Sequence, residues 1–372
     1  MDVLRALREL SEAVGPSGLE ERAAEVARAL WAPYVDETIV DRVGSLVATK
    51  AGAGEAPRPQ LLLAAHVDEI ALMVKQIVAQ PEGGVGWGFL RLTSVGGVDI
   101  RHLYGQVVVV HGSRNGGREL PGVVAALPGF MLPESRRNKA FGFQDLVVDT
   151  GLPVGDLRQA VSVGDFISFR QPLRELLNGR AAGKALDNRA SVAAIAVCLE
   201  YLHGRQHSWD VLAVATSQEE TALLGAFTSG HALAPDLAIA LDVTFAKGPG
   251  SNDALTYELD EGPTIAFGPN VHPGVYRALR EAAAALEMRV QPEPHARSSG
   301  TDAFGLQIAR EGIPTGLISI PLRYMHTPVE TLATADIERA GRLLAEFSAR
   351  LRPDFMDELA RGLLDDGKGE AA

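Results

Sequence analysis

Two kinds of hydrophobic spacing divide the chain. Over residues 2–14 leucine and valine recur at helical intervals, and Ser17-Gly18-Leu19-Glu20 reads as a capping box for a second helix ending near Trp31. Residues 38–49, broken at Gly44, predict a hairpin or strand pair, and residues 51–60 a solvated connector. Leu61-Leu62-Leu63-Ala64-Ala65 is continuously apolar, as a strand covered on both faces must be. Similar runs return at 211–216, 237–241 and 315–320. Around them, helices are expected over 190–202, 221–231, 273–286, 301–311 and 334–351, with a polar tail after Leu364. This alternation predicts an α/β domain whose sheet is sandwiched by helices.

The texture differs between residues 71 and 172. Strand-like runs at 107–111, 122–126 and 161–170 alternate with turn signals at Gly83-Gly84, Gly96-Gly97 and Asn115-Gly116-Gly117, and long helical periodicity is nearly absent. We therefore expect a small, mostly β domain over 71–172 inserted into a main domain formed by 1–70 and 173–372. None of these glycines precedes the Gly-Lys-Ser/Thr of a phosphate loop, so they read as turns.

Composition narrows the function classes. With 372 residues, 46% of them apolar, the chain can bury a large core. No apolar run is long enough to cross a bilayer, and charges interrupt MDVLRALREL, so the expectation is a cytoplasmic protein without a membrane partner. A net charge of −12 argues against nucleic acid as the main partner. The single cysteine, Cys198, excludes internal disulfides and cysteine-only metal sites, and its apolar surroundings assign it to core packing.

The candidate chemistry lies at the ends of the buried runs. His66 follows LLLAA, Glu219 and Glu220 follow LAVATSQ, Asp242 follows LAIAL, and His326 stands a few residues beyond GLISI. In open α/β sheets ligands gather beyond the carboxyl ends of the strands, where residues distant in sequence converge. Asp187, ahead of a helix, can join them. Singly, each has an ordinary explanation: a helix cap for Asp187, structural ion pairs for Asp242 and Glu220, core or loop histidines for the rest. Together they have the composition of a site for two zinc-like ions, one carboxylate bridging both. Asp68, two residues beyond His66 on an extended segment, can accept the free ring N–H of that histidine.

Six segments carry a family resemblance: His66-Val67-Asp68-Glu69, residues 183–189 (GKALDNR), Ser217-Gln218-Glu219-Glu220, Leu241-Asp242-Val243-Thr244, Ser299-Gly300-Thr301-Asp302-Ala303, and residues 320–330 (IPLRYMHTPVE). In type and order they resemble the signatures of the tetrahedral aminopeptidases, co-catalytic metallopeptidases some of which have been labelled endoglucanases or deblocking aminopeptidases. The resemblance runs from about residue 4 to residue 351. It implies an α/β fold with a mixed sheet, of the zinc-dependent exopeptidase kind, and an inserted β-barrel-like or PDZ-like dimerisation domain. It also implies two divalent metals, zinc foremost with cobalt or manganese as alternatives. Asp187 would bridge them, His66 and Asp242 would complete one position, and Glu220 and His326 the other. Glu219, with Asp68 in support, would be catalytic, as the acid that works on water. Further implications are peptide substrates with a free N-terminus and dimers assembling into a tetrahedral dodecamer.

Two readings from other classes compete with this one. A glycosidase would need Glu219 and Glu220 to flank a bond about 5 Å or more apart, which adjacent residues of one loop seldom do. A non-enzymatic shell or binding protein would be expected to have lost a ligand. The pocket for the first substrate residue is expected to draw on 300–303 and 243–247, with Phe245 apolar if it points inward.

Overall fold

A computed structural model describes residues 1–80, 86–137, 139 and 141–365. The expected turn at Gly83-Gly84 lies outside them, as does the tail beyond residue 365.

Four parallel strands form the middle of an eleven-stranded mixed sheet: Asp210–Thr216, Gln60–His66, Leu237–Phe245 and Thr315–Arg323, side by side in that order. Antiparallel strands flank them, with Leu46–Lys50 and Glu37–Val40 on one side and Glu330–Ala333, Arg180–Gly183 and Arg174–Leu176 on the other. Thr264–Phe267 and Gln291–Pro294 extend the sheet from Thr315–Arg323. The continuous apolar run is explained by this position. Leu61, Leu63 and Ala65 face one core with helices Val3–Glu12, Glu21–Trp31, Leu186–Leu202 and Thr334–Arg350, whereas Leu62 and Ala64 face a second with Leu224–Leu233 and Asp302–Gln307. Helices Leu186–Leu202 and Thr334–Arg350 cross closely at Gly341, where a Cβ would lie 2.5 Å from the Ala194 carbonyl oxygen. Cys198 is buried in the first core, which pushes its thiol far above the ordinary range.

A closed antiparallel barrel stands between His66 and Leu173 in the chain. Its order is Ala71–Ala79, Trp87–Val95, Val147–Pro153, Arg118–Ala125, Val107–Gly112 and Phe166–Phe169, the last closing on the first. Leu72, Leu90, Val108, Leu120, Val148 and Ile167 fill its interior.

Some sequence expectations need correction. Ser17–Glu20 is not a capping box. The helix starts at Glu21 with Glu20 as its N-cap, while the Ser17 hydroxyl donates to Asp68 and the Glu20 carboxylate accepts from Gly18 N and Gln218 N. Satisfying a buried carboxylate outweighs capping there. Only Phe166–Phe169 of the run 161–170 is strand, because Asp165 gathers the amides of Ser113 and Ser162 into a turn. The helix expected over 221–231 is two, Glu219–Ala222 and Leu224–Leu233, separated by Leu223 with φ +54°. The helix expected over 301–311 is shorter, Asp302–Gln307, with Thr301 as its N-cap.

Candidate metal centre

The four parallel strands end on one side of the sheet, and their ends carry the site. His66 is the last residue of its strand and pairs with Thr216, the last of the neighbouring one. Asp242 lies beside Ser319 across the next pair. Beyond Thr216 the chain turns through Gln218, with φ +55°, into the short helix that begins with Glu219 and Glu220. Asp187 enters from the start of Leu186–Leu202 with ψ 103°, out of helical conformation, so its side chain turns towards the strand ends.

All six residues expected from the sequence to hold metal or work on water converge. His66 Nε2 lies 3.2 Å from Asp187 Oδ1, 3.7 Å from Glu219 Oε2 and 3.9 Å from Asp242 Oδ1. His326 Nε2 lies 3.5 Å from Asp187 Oδ2 and 3.4 Å from Glu220 Oε2. Asp187 thus turns one oxygen to each of two groups. Within His66, Asp187 and Asp242, and again within Asp187, Glu220 and His326, one donor atom from each residue lies within 4.8 Å of the others. Glu219 belongs to neither set.

Asp68 supports both groups from behind. Its Oδ1 accepts from Glu219 N at 3.1 Å and stands 3.4 Å from His66 Nδ1, and its Oδ2 accepts from Glu220 N at 3.2 Å and from the Ser17 hydroxyl. One buried carboxylate therefore orients the histidine and fixes the backbone of both acids. Hydrogen bonds from His66 and Ser17 hold Asp68 below the usual carboxylate range, although burial alone would raise it.

The donors suit divalent cations. Burial pushes Glu219 up to about 9, assisted by Asp242, Asp302 and Asp187 and opposed by His66. Glu220 and Asp242 are driven well above the ordinary range by burial and by Asp187. Burial alone would lower His66, but the charge of Glu219 and bonds to Asp187 and Asp68 raise it well above the usual imidazole value. Among the described residues, no lysine or arginine lines the cavity, and Glu220 Oε1 is buried without a hydrogen-bond partner. Carboxylates packed this closely require positive charge, and an imidazole and carboxylate set matches the preferences of zinc-like ions.

The site opens into a cavity of about 630 Å³. Val243, Thr244, Phe245, Gly300 and Thr301 line it as expected, with Phe245 at an exposed position. Sequence reasoning missed Glu293 on its wall. Burial would raise that carboxylate, but His295 and the hydroxyls of Thr244 and Thr264, at 2.6 and 2.5 Å, hold it below the ordinary range. It missed the role of Asp302 as well, whose Oδ2 accepts from Thr216 Oγ1 at 2.5 Å and whose Oδ1 is buried without a partner. Asp302 stood inside the SSGTDA segment without a role, and the only signal for Glu293 was its place five residues before that segment.

Residues 44–343 match the profile of the M42 glutamyl aminopeptidases. The chain belongs to the M42 glutamyl aminopeptidase family. Membership makes it a peptide-bond hydrolase of aminopeptidase type, as the six motifs implied. A lysyl aminopeptidase of Pyrococcus furiosus is 31% identical over 94% of this chain and 98% of its own. The crystal structure of a TET aminopeptidase from a marine-sediment thaumarchaeon superposes with a TM-score of 0.85 at 30% identity, covering 96% of this chain and 99% of that one. The TET1 peptidase of Pyrococcus horikoshii, which can assemble into a tetrahedron or a large octahedral shell, gives 0.79 at 27% identity over 94% of this chain and 100% of that one. These likenesses bear out the mixed α/β fold with its barrel. Among the described residues, no helix is long and apolar enough to cross a membrane.

Proposed function

We propose that this M42 aminopeptidase is metal-dependent and removes N-terminal residues from peptides through two divalent cations and one free carboxylate. The observation that carries the reading is the division of Asp187, one oxygen facing His66 and the other facing His326, with Glu219 left outside both sets. His66, Asp187 and Asp242 would hold one cation, and Asp187, Glu220 and His326 the other. Zinc is the first candidate, with cobalt or manganese as alternatives. The bound pair would supply Lewis-acid polarisation of the scissile carbonyl and a lowered pKa for water.

The chain's own groups do the rest. Glu219 Oε2 accepts a proton from the attacking water and returns it to the leaving amine, the two halves of general base and acid catalysis. Its Oε2 stands 3.7 Å from His66 Nε2, beside the first set without belonging to either. Asp68 holds His66 and the Glu219 amide so that the base keeps its place. Leu317, Tyr257 and Leu255 line the cavity beside these groups and receive the first substrate residue.

In the same reading, residues 71–172 form the dimerisation domain on a catalytic domain of 1–70 and 173–372. Dimers build a tetrahedral dodecamer, an arrangement supported by the assembly of the P. horikoshii relative. The test is a panel of aminoacyl chromogenic substrates assayed after chelation and after re-addition of zinc, cobalt or manganese. Activity lost on chelation and restored by a metal is expected. Full turnover in the chelated protein refutes metal dependence.

A further inference from the structure

The two cation sets are built differently. His66, Asp187 and Asp242 are all buried and are presented by strand ends and a helix start of the main domain. His326 sits in a loop with φ +62°, and its side chain is 36% exposed. Two features define its place.

On one side its ring rests against the barrel. Gly97 belongs to the loop that follows strand Trp87–Val95, and a Cβ there would lie 2.5 Å from His326 Nδ1 and 2.8 Å from Cε1. The preceding Gly96 faces Glu220, where a Cβ would come within 3.3 Å of Oε2. Asp99 N donates to the His326 carbonyl at 3.4 Å from the same loop. On the other side stands Glu330, a buried carboxylate that ligates neither set. Its Oε1 accepts from His326 N at 2.9 Å and its Oε2 from Asp187 N at 3.0 Å. One buried carboxyl group therefore ties together the backbones of two of the three residues in this set, one oxygen to each. The clamp fixes the His326 backbone, and the glycine wall fixes how far its ring can retreat. What remains directs Nε2 at Asp187 Oδ2 and Glu220 Oε2.

We propose that Gly97 and Glu330 are positioning residues for the cation position of Asp187, Glu220 and His326, which is thereby assembled across both lobes: the main domain supplies the donors and the barrel loop supplies the wall. This inference rests on the two-cation reading above. The other position, made within the main domain, does not depend on the barrel loop. Groups that orient metal ligands typically account for about 10- to 100-fold in metal affinity.

The test is calorimetric zinc titration of the metal-stripped full-length protein, with elemental analysis of the saturated product. Gly97→Ala adds a methyl group whose close contact is the His326 ring, and Gly97 has no positive φ to strain. Glu330→Gln replaces one acceptor oxygen by an amide donor facing a backbone N–H. Gly155→Ala, a barrel glycine with nothing within 4 Å of the added carbon, is the control. Wild type and Gly155→Ala should take up two zinc ions. Gly97→Ala should bind one with wild-type affinity and the second about 10- to 100-fold more weakly, while metal-free Gly97→Ala unfolds at the wild-type temperature; Glu330→Gln, which also faces the shared Asp187, should weaken the second ion by at least as much. Should Glu330→Gln fail to fold, Gly97→Ala decides alone. Two ions bound at wild-type affinity by Gly97→Ala, or both weakened equally, overturn the inference. A wild type that takes up no second ion refutes the two-cation reading itself, and this inference with it.

Discussion

Asp68→Asn probes the support of the site without replacing a proposed ligand. The carboxylate accepts two backbone amides through different oxygens, Glu219 N on Oδ1 and Glu220 N on Oδ2, and Oδ2 also receives the Ser17 hydroxyl. Asparagine offers one oxygen and one NH2. The Ser17 hydroxyl can rotate to accept, so the favoured orientation turns the NH2 to that side and leaves Glu220 N facing a donor. Losing a hydrogen bond to a charged group and stranding a buried N–H amounts to about 2–4 kcal/mol. Because the displaced turn carries both Glu219 and Glu220, most of that loss should reach the transition state, giving a fall of about 30- to 1,000-fold in kcat/KM. Steady-state kinetics on an aminoacyl p-nitroanilide reads it, with metal content measured in parallel. Ser17→Ala, which leaves both amides paired, should fall much less. If Asp68→Asn stays within about threefold of wild type at an unchanged Tm, Asp68 does not organise the turn.

Three further outcomes are expected. Glu20, which ties Gly18 to Gln218, is pushed up to about 7 by burial and by Asp68. Its folded-state value exceeds its unfolded one, so its contribution is complete below about pH 4.5 and is lost as pH rises through 7. Wild type should therefore lose at most about 3 kcal/mol relative to Glu20→Gln across that window, and a Tm difference that is flat with pH refutes the assignment. Gly341→Ala places a methyl group 2.5 Å from Ala194 O and from Val197 Cβ, so thermal unfolding should show about 1–3 kcal/mol of destabilisation; an unchanged Tm contradicts the close crossing. Chelation should lower Tm and zinc should restore it, because ions bound only by the folded state stabilise it, whereas indifference to both argues against bound metal.

The parallel strands were legible because burial on both faces leaves an unbroken apolar run, as at Leu61–Ala65. Among the barrel strands, Val107–Gly112 and Arg118–Ala125 were read from the runs at 107–111 and 122–126, whereas Trp87–Val95 was not, since one face is solvated and carries Arg91. His66, Asp242, Glu219 and Glu220 were visible as polar residues closing or following such runs. Asp68 was visible through its spacing from His66, but its hold on the Glu219 and Glu220 amides spans about 150 residues of chain and appears only in three dimensions. Glu330 lay inside a recognised motif without a role, because its two partners, Asp187 N and His326 N, meet only once the main domain has closed. Ser17 misled for the same reason: a distant carboxylate outcompeted the adjacent helix end.

In the proposed mechanism adjacent acids divide the work, Glu220 in a cation set and Glu219 on the proton. Glu219→Gln, assayed for bound metal and for turnover on the same sample, tests it most directly. The expected result is the wild-type complement of two metal ions with nearly all activity gone. Wild-type turnover with the metals in place, or loss of one metal ion on the substitution, would contradict it.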